Sequence, residues 1–111
     1  MNAQTSAAPV FRADRFVVPQ AARAEFLSRV KQTHTVLRQQ PGFVRELILE
    51  RQAGSAESHI ITIVEWESAA VMSGVREVVA AHQKSVGFNP AELIARLGIE
   101  AEFGVYEAIR F

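Results

Sequence analysis

FVRELILERQAGSAESHIITIVEW, residues Phe43 to Trp66, is the stretch that decides the fold. Two runs rich in large aliphatic and β-branched residues, 43–51 and 59–66, flank the small and polar stretch QAGSAES. That pattern predicts an antiparallel hairpin. The second run ends on the only tryptophan of the chain, Trp66, between Glu65 and Glu67. A core filler would sit better mid-strand, whereas a ligand-facing residue at the mouth of a pocket suits its end.

Helical periodicity stands on both sides of the hairpin. Before it, Ala22, Phe26, Val30, Thr33 and Leu37 recur at spacings of four and three, one stripe of an amphipathic helix that opens near Pro19 and is stopped by Pro41 and Gly42. After it, Ser68 is a candidate N-cap for a second helix in which Val71, Val75, Val78 or Val79, His82 and Val86 share a side, and Gly87 ends it. NPAELIARLG, residues 89–98, carries an Asn cap, Pro at the first turn, Glu92 at the capping-box position and a terminal Gly, all signs of a short third helix. VFRADRFVV (10–18) and AEFGVYEAIRF (101–111) read as the first and last strands, the last with Phe103, Val105, Ile109 and Phe111 on one face. The order strand, helix, strand, strand, helix with a short helix, strand is the split β-α-β arrangement. It predicts a ferredoxin-like α+β sandwich, a four-stranded antiparallel sheet with helices on one face.

The chain has 111 residues, 49% hydrophobic and 22% charged, which suits one soluble domain over residues 10–111 after a loose tail at 1–9. Twelve basic residues balance twelve acidic ones without a basic block, so nucleic acid is not an expected partner. The absence of cysteine excludes disulfides, thiolate metal sites and a cysteine nucleophile. The N-terminal residues have no signal-peptide pattern and no apolar run is long enough to span a bilayer, so the expectation is a cytoplasmic protein with no membrane partner. The hairpin also bears on assembly. Ile60, Thr62, Val64 and Trp66 point one way and Ile61 and Ile63 the other, while Leu47 and Leu49 oppose Ile48. Two strands are apolar on both faces, yet helices cover only one. At about 25 cal/mol per Å² the second face is worth hiding, and a second copy packed sheet against sheet in a homodimer is the simplest cover.

Signals for chemistry are few. His34, His59 and His82 lack i,i+4 spacing, and no HExxH, P-loop, GxGxxG or nucleophile elbow is present, so neither a metal nor another cofactor is expected. What remains is a set of polar or aromatic residues in apolar settings: Asp14 and Phe16 in the first strand, Thr62 and Trp66 in the third, His82 on the apolar side of the second helix, and His34 flanking the stripe of the first. Each has a plain reading as well. A lone histidine on an apolar face also fits a hydrogen-bonded core residue, Trp66 fits packing, and Asp14 fits a solvent-facing edge. Together they fit a mostly apolar cavity with a few convergent polar groups, the usual form of a small-molecule site.

The segments DRFVVP, AEFLSRVKQTHTVLRQQPGFVRELILER, IITIVEWES and AAHQK resemble the antibiotic biosynthesis monooxygenase family, and the resemblance covers nearly everything after residue 10. Its most specific elements are QPGFV and the strand ending EWES. The resemblance implies a dimeric α+β barrel. It also implies a cofactor-independent monooxygenase that oxidises a small aromatic phenol or quinol with O2. The alternatives are a non-catalytic small-molecule-binding or stress-response dimer and, further off, a haem-degrading monooxygenase. Family features match Trp66 and His82. Two positions depart from the oxygenases of the family, Asp14 and Thr62, where those often have asparagine, and a third, Val71 or Met72, stands where haem degraders have tryptophan. The implied roles are catalytic for Asp14, Trp66 and His82 and substrate-binding for Phe16, His34 and Thr62, with Asp14, His82 or His34 as the base.

Overall fold

The computed structural model describes residues 8–52, 54 and 56–111. Most of the expected N-terminal tail, residues 1–7, and Ala53 and Ser55 of the expected turn lie outside the described residues. The elements are β1 (Val10–Pro19), a single 3-10 turn (Gln20–Ala22), α1 (Arg23–Leu37), β2 (Phe43–Glu50), β3 (Glu57–Trp66), α2 (Ala69–Ser85), α3 (Pro90–Leu97) and β4 (Glu100–Tyr106). The four strands form one antiparallel sheet in the order β2-β3-β1-β4, so the ferredoxin-like α+β architecture is the one observed.

The helix boundaries follow their local chemistry. Ser68 accepts from the Val71 amide at 3.2 Å, Asn89 accepts from the Glu92 amide at 3.2 Å, and Gly98 closes α3 in the left-handed region. Gly42, at φ 85°, is obligatory for a second reason: a β-carbon there would stand 2.3 Å from Val71 Cγ1. Two boundaries differ from expectation. Pro19 remains in β1, where it lies opposite Glu57, and α1 starts only at Arg23. The last strand stops at Tyr106 rather than running to Phe111, because Tyr106 pairs with Phe11 and β1 has nearly run out of residues to pair with.

Burial in β3 alternates without a break: Ser58, Ile60, Thr62, Val64 and Trp66 are buried and the residues between them are not. In register with them, Val10, Arg12, Asp14, Phe16 and Val18 of β1 line the same, helix-covered face. The core on this face is divided. Phe16, Val18, Ala22, Phe26, Ile60 and Ile99 form one cluster, and Val10, Val64, Trp66 and Val75 form the other. Between them the strands place Arg12, Asp14 and Thr62. The opposite face of the sheet carries Leu47 and Leu49, 47% and 44% exposed, with half-buried Ile61 and Ile63.

A bulge at Val44 sets the phase of β2, since Phe43 lies opposite Trp66 while Arg45 lies opposite Glu65. Beyond it, Glu46, Ile48 and Glu50 fall opposite Val64, Thr62 and Ile60, on the helix side. At this edge the inward glutamates meet side chains of α1 and its C-cap residue. Glu46 is bound by His34 and Arg38, and Glu50 by Arg23.

Candidate active site

The polar interval between the two apolar clusters opens into a cavity of about 380 Å³ under α1 and α2. The sheet contributes Arg12, Asp14, Phe16, Thr62, Trp66 and Phe103, and the helices contribute Phe26, Val30, His34, Met72, Val75 and Val79. Five of the six residues expected to form a site are therefore brought to one cavity: Asp14, Phe16, His34, Thr62 and Trp66. They come from β1, α1 and β3, which only the folded sheet brings together.

Asp14 sits mid-strand between Thr62 and Phe103 of its neighbours. Burial raises its carboxyl above the ordinary range, against the opposing pull of a hydrogen bond and charge from Arg12, the Gly104 amide and the nearby His34. The Arg12 Nε donates to Oδ1 at 2.6 Å, and the same guanidinium lies 5.3 Å from the centre of the Phe103 ring. Phe103 in turn meets Phe16 edge-on at 6.0 Å, and Phe16 meets Phe26 at 4.8 Å. The ion pair is thus held by an aromatic wall.

Trp66 is only 3% exposed. Its ring meets Phe43 edge-on at 5.7 Å and packs with Val10, Val64 and Val75. The expectation of a tryptophan at the mouth is corrected accordingly. Trp66 ends its strand but closes the cavity as a buried wall, because Phe43 on β2 and Val10 on β1 lie across from it.

His34 is buried, and its Nδ1 lies 2.8 Å from Glu46 Oε2. The other carboxylate oxygen of Glu46 accepts from Arg38 Nε at 2.8 Å and Nη2 at 2.6 Å. Burial pushes the Glu46 carboxyl up, but the hydrogen bonds from Arg38 and His34 outweigh it and hold the group below the ordinary range.

His82 stands apart. It is exposed and borders a separate crevice of about 30 Å³ beside Arg29, Gln32 and Val36 of α1, so its expected place in the cavity is corrected. Helical spacing placed it on the side of Val75, the one buried residue of α2. The side of α2 that meets the cavity carries Met72, Val75, Arg76, Val79 and Gln83. Gln83 follows His82 directly, about 100° round the axis, and still lines the cavity, so His82 is turned away by its angle and not by its position along the helix.

The sequence matches no family model and no curated protein. Solved structures do match. SnoaB, a cofactor-independent oxygenase from Streptomyces nogalater, is 26% identical, with 95% of this chain and 97% of that chain covered and a TM-score of 0.65. A Bacillus cereus protein assigned as an antibiotic biosynthesis monooxygenase is 13% identical over 94% of this chain and 96% of that one, with a TM-score of 0.61. This chain has the antibiotic biosynthesis monooxygenase fold. A haem-degrading protein from Mycobacterium tuberculosis shares it too, at 20% identity over 95% of this chain and 96% of that chain, with a TM-score of 0.58. The fold therefore spans more than one chemistry, and the side chains must discriminate. His82, which the resemblance matches to a histidine of the family, lies outside the cavity of this chain.

Two cavity residues, Arg12 and Phe103, and Glu46 behind His34 had no part in the expected site. Arg12 shares a strand face with Asp14, two residues away, and that alternation was a usable signal. Phe103 sits on the apolar face expected for the last strand. Glu46 had no such signal, because its direction depends on the bulge.

Proposed function

We propose that this cavity binds a planar phenol or quinol and promotes its oxygenation by O2 without a bound metal, flavin or haem. The observation that carries the reading is the polar gap in the core, where Arg12, Asp14, Thr62 and His34 converge inside aromatic walls. SnoaB, described as cofactor-independent, supports the same class. The chemistry needs no external reductant. An anthrone and O2 give a quinone and water, one oxygen atom entering the substrate as a carbonyl, with all four electrons supplied by the substrate. The protein's part is to remove the phenolic proton, hold the electron-rich anion and keep water from the radical pair formed with O2. Phe16 and Trp66 sandwich the ring, Thr62 orients its oxygen, and Arg12 faces the anion. Asp14 and His34 are the two groups placed to take the proton.

O2 uptake with naphthohydroquinones and anthrones, in the presence of a strong chelator, tests this. Wild type should exceed Trp66→Phe and Asp14→Ala at least about tenfold. Rates equal to both variants across the panel would leave a binding cavity without catalysis, the reading of a non-catalytic ligand-binding dimer.

The working form in this reading is a homodimer. The sheet face away from the helices holds Leu47, Leu49, Ile61 and Ile63 with no cover of their own, and a second copy buries them against their equivalents. Light scattering should give the mass of two chains, and Leu47→Lys should shift it toward one. A wild-type mass of one chain would refute the dimer.

A further inference from the structure

We propose that His34 takes the proton from the bound phenol through Nε2, with Glu46 and Arg38 as positioning residues behind it. This rests on the cavity binding a phenol. The argument begins with which nitrogen carries hydrogen. Glu46 is held ionised by Arg38, and an ionised carboxylate only accepts hydrogen bonds. The 2.8 Å contact with Oε2 therefore fixes hydrogen on Nδ1 of His34. In the neutral ring the lone pair is then on Nε2, and among the described residues no side chain or backbone group bonds to that atom. The ring is 5% exposed and lines the cavity, so its free nitrogen meets whatever the cavity holds. A histidine serving only to fill the core would need no carboxylate fixing one nitrogen while the other stays open.

The rival acceptor is Asp14. Its carboxylate is already occupied, by Arg12 Nε at 2.6 Å and by the Gly104 amide. Taking a proton would break an ion pair in a half-buried site, whereas His34 breaks nothing. The transfer balances simply: the O–H bond breaks, an N–H bond forms at Nε2, and no electrons leave the substrate. The imidazolium produced lies against the Glu46 carboxylate, so the row from Arg38 through Glu46 to His34 alternates in charge. The phenolate is left facing the cations of the cavity, Arg12 from β1, Arg29 from α1 and Arg76 from α2, with Asp14 as the one carboxylate on the sheet side. Electrostatics and geometry favour the same direction of transfer.

Alizarin is a suitable probe, being a planar polycyclic phenol that turns from yellow to red on ionisation. Binding is read by quenching of Trp66, and ionisation by colour, just below the pH at which the free dye ionises. Wild type should bind the red form, raising the dye's ionisation constant at least about tenfold. His34→Gln should bind it yellow. Glu46→Gln should lose much of the ionisation, because an amide can donate to Nδ1 and send the ring proton to Nε2. Ionised dye bound to His34→Gln would overturn the assignment while leaving the cavity as an aromatic site. No quenching by the dye in wild type would overturn both.

Discussion

The two helices that wall the cavity each carry a histidine, and the two histidines have opposite surroundings. His34 on α1 is buried, bonded to Glu46 and in contact with the cavity. His82 on α2 is exposed at the edge of a shallow crevice. Sequence spacing sets the two almost alike, each beside an apolar stripe. What separates them is the side of each helix that its packed neighbours select. α1 lies against the edge strand β2 near its C-terminal end, so a residue in its last turns still meets Glu46. α2 turns Met72, Val79 and Gln83 to the cavity, and His82, one residue before Gln83, falls beside that side. Helical periodicity gives the angles between side chains around the axis, and the packed neighbour alone decides which angle faces inward.

The comparison breaks most visibly in stability. Phe26 of α1, 4% exposed and 4.8 Å from the Phe16 ring, belongs to the cluster on one side of the cavity. Phe26→Ala should cost about 3–5 kcal/mol in urea denaturation. His82→Ala should stay within about 0.5 kcal/mol, as substitutions at exposed positions generally do. A loss of several kcal/mol on removing His82 would mean that its ring is buried against α1 and not exposed.

The same contrast explains what could be read from the sequence. The four strands and three α-helices, in their order along the chain, followed from period, caps and breakers, because those signals are local and strong here: Ser68, Asn89, Gly98 and the Pro41–Gly42 stop each act within a few residues. Asp14, Phe16, Thr62 and Trp66 were legible as a group because the period of two fixes the face of a residue once one neighbour is known to be buried. Glu46 was not legible. Leu47 and Leu49 are the more apolar alternation in β2, and they suggest that the glutamates face water. The bulge at Val44 and the side chains of α1 and its C-cap reverse this. Arg23, His34 and Arg38 give Glu46 and Glu50 partners on the helix side, and the leucines are left on the open face. Edge-strand phase is a tertiary property, set by what stands across from it.

A smaller effect tests whether Glu46 truly belongs to the His34 side of the comparison. Its folded-state carboxyl lies below the ordinary value of 4.5, so between that value and its own midpoint the unfolded chain binds more protons than the folded one. The stability it contributes is present above about pH 5 and is lost as the pH falls through the folded midpoint. Glu46→Gln has no such group to titrate. The variant should be less stable than wild type near neutrality, by on the order of 1 kcal/mol because Arg38 is half exposed. The gap should close as thermal unfolding is followed down toward pH 3. Asp14 pulls the other way, since its raised carboxyl binds a proton more readily when folded and its burial penalty is relieved in acid. That contribution is common to both proteins, as are those of Glu25 and Glu50, so it cancels in the difference. A gap that stays constant with pH would show that Glu46 holds no ionised partner in the folded state, and the alignment of His34 toward the cavity would lose its support.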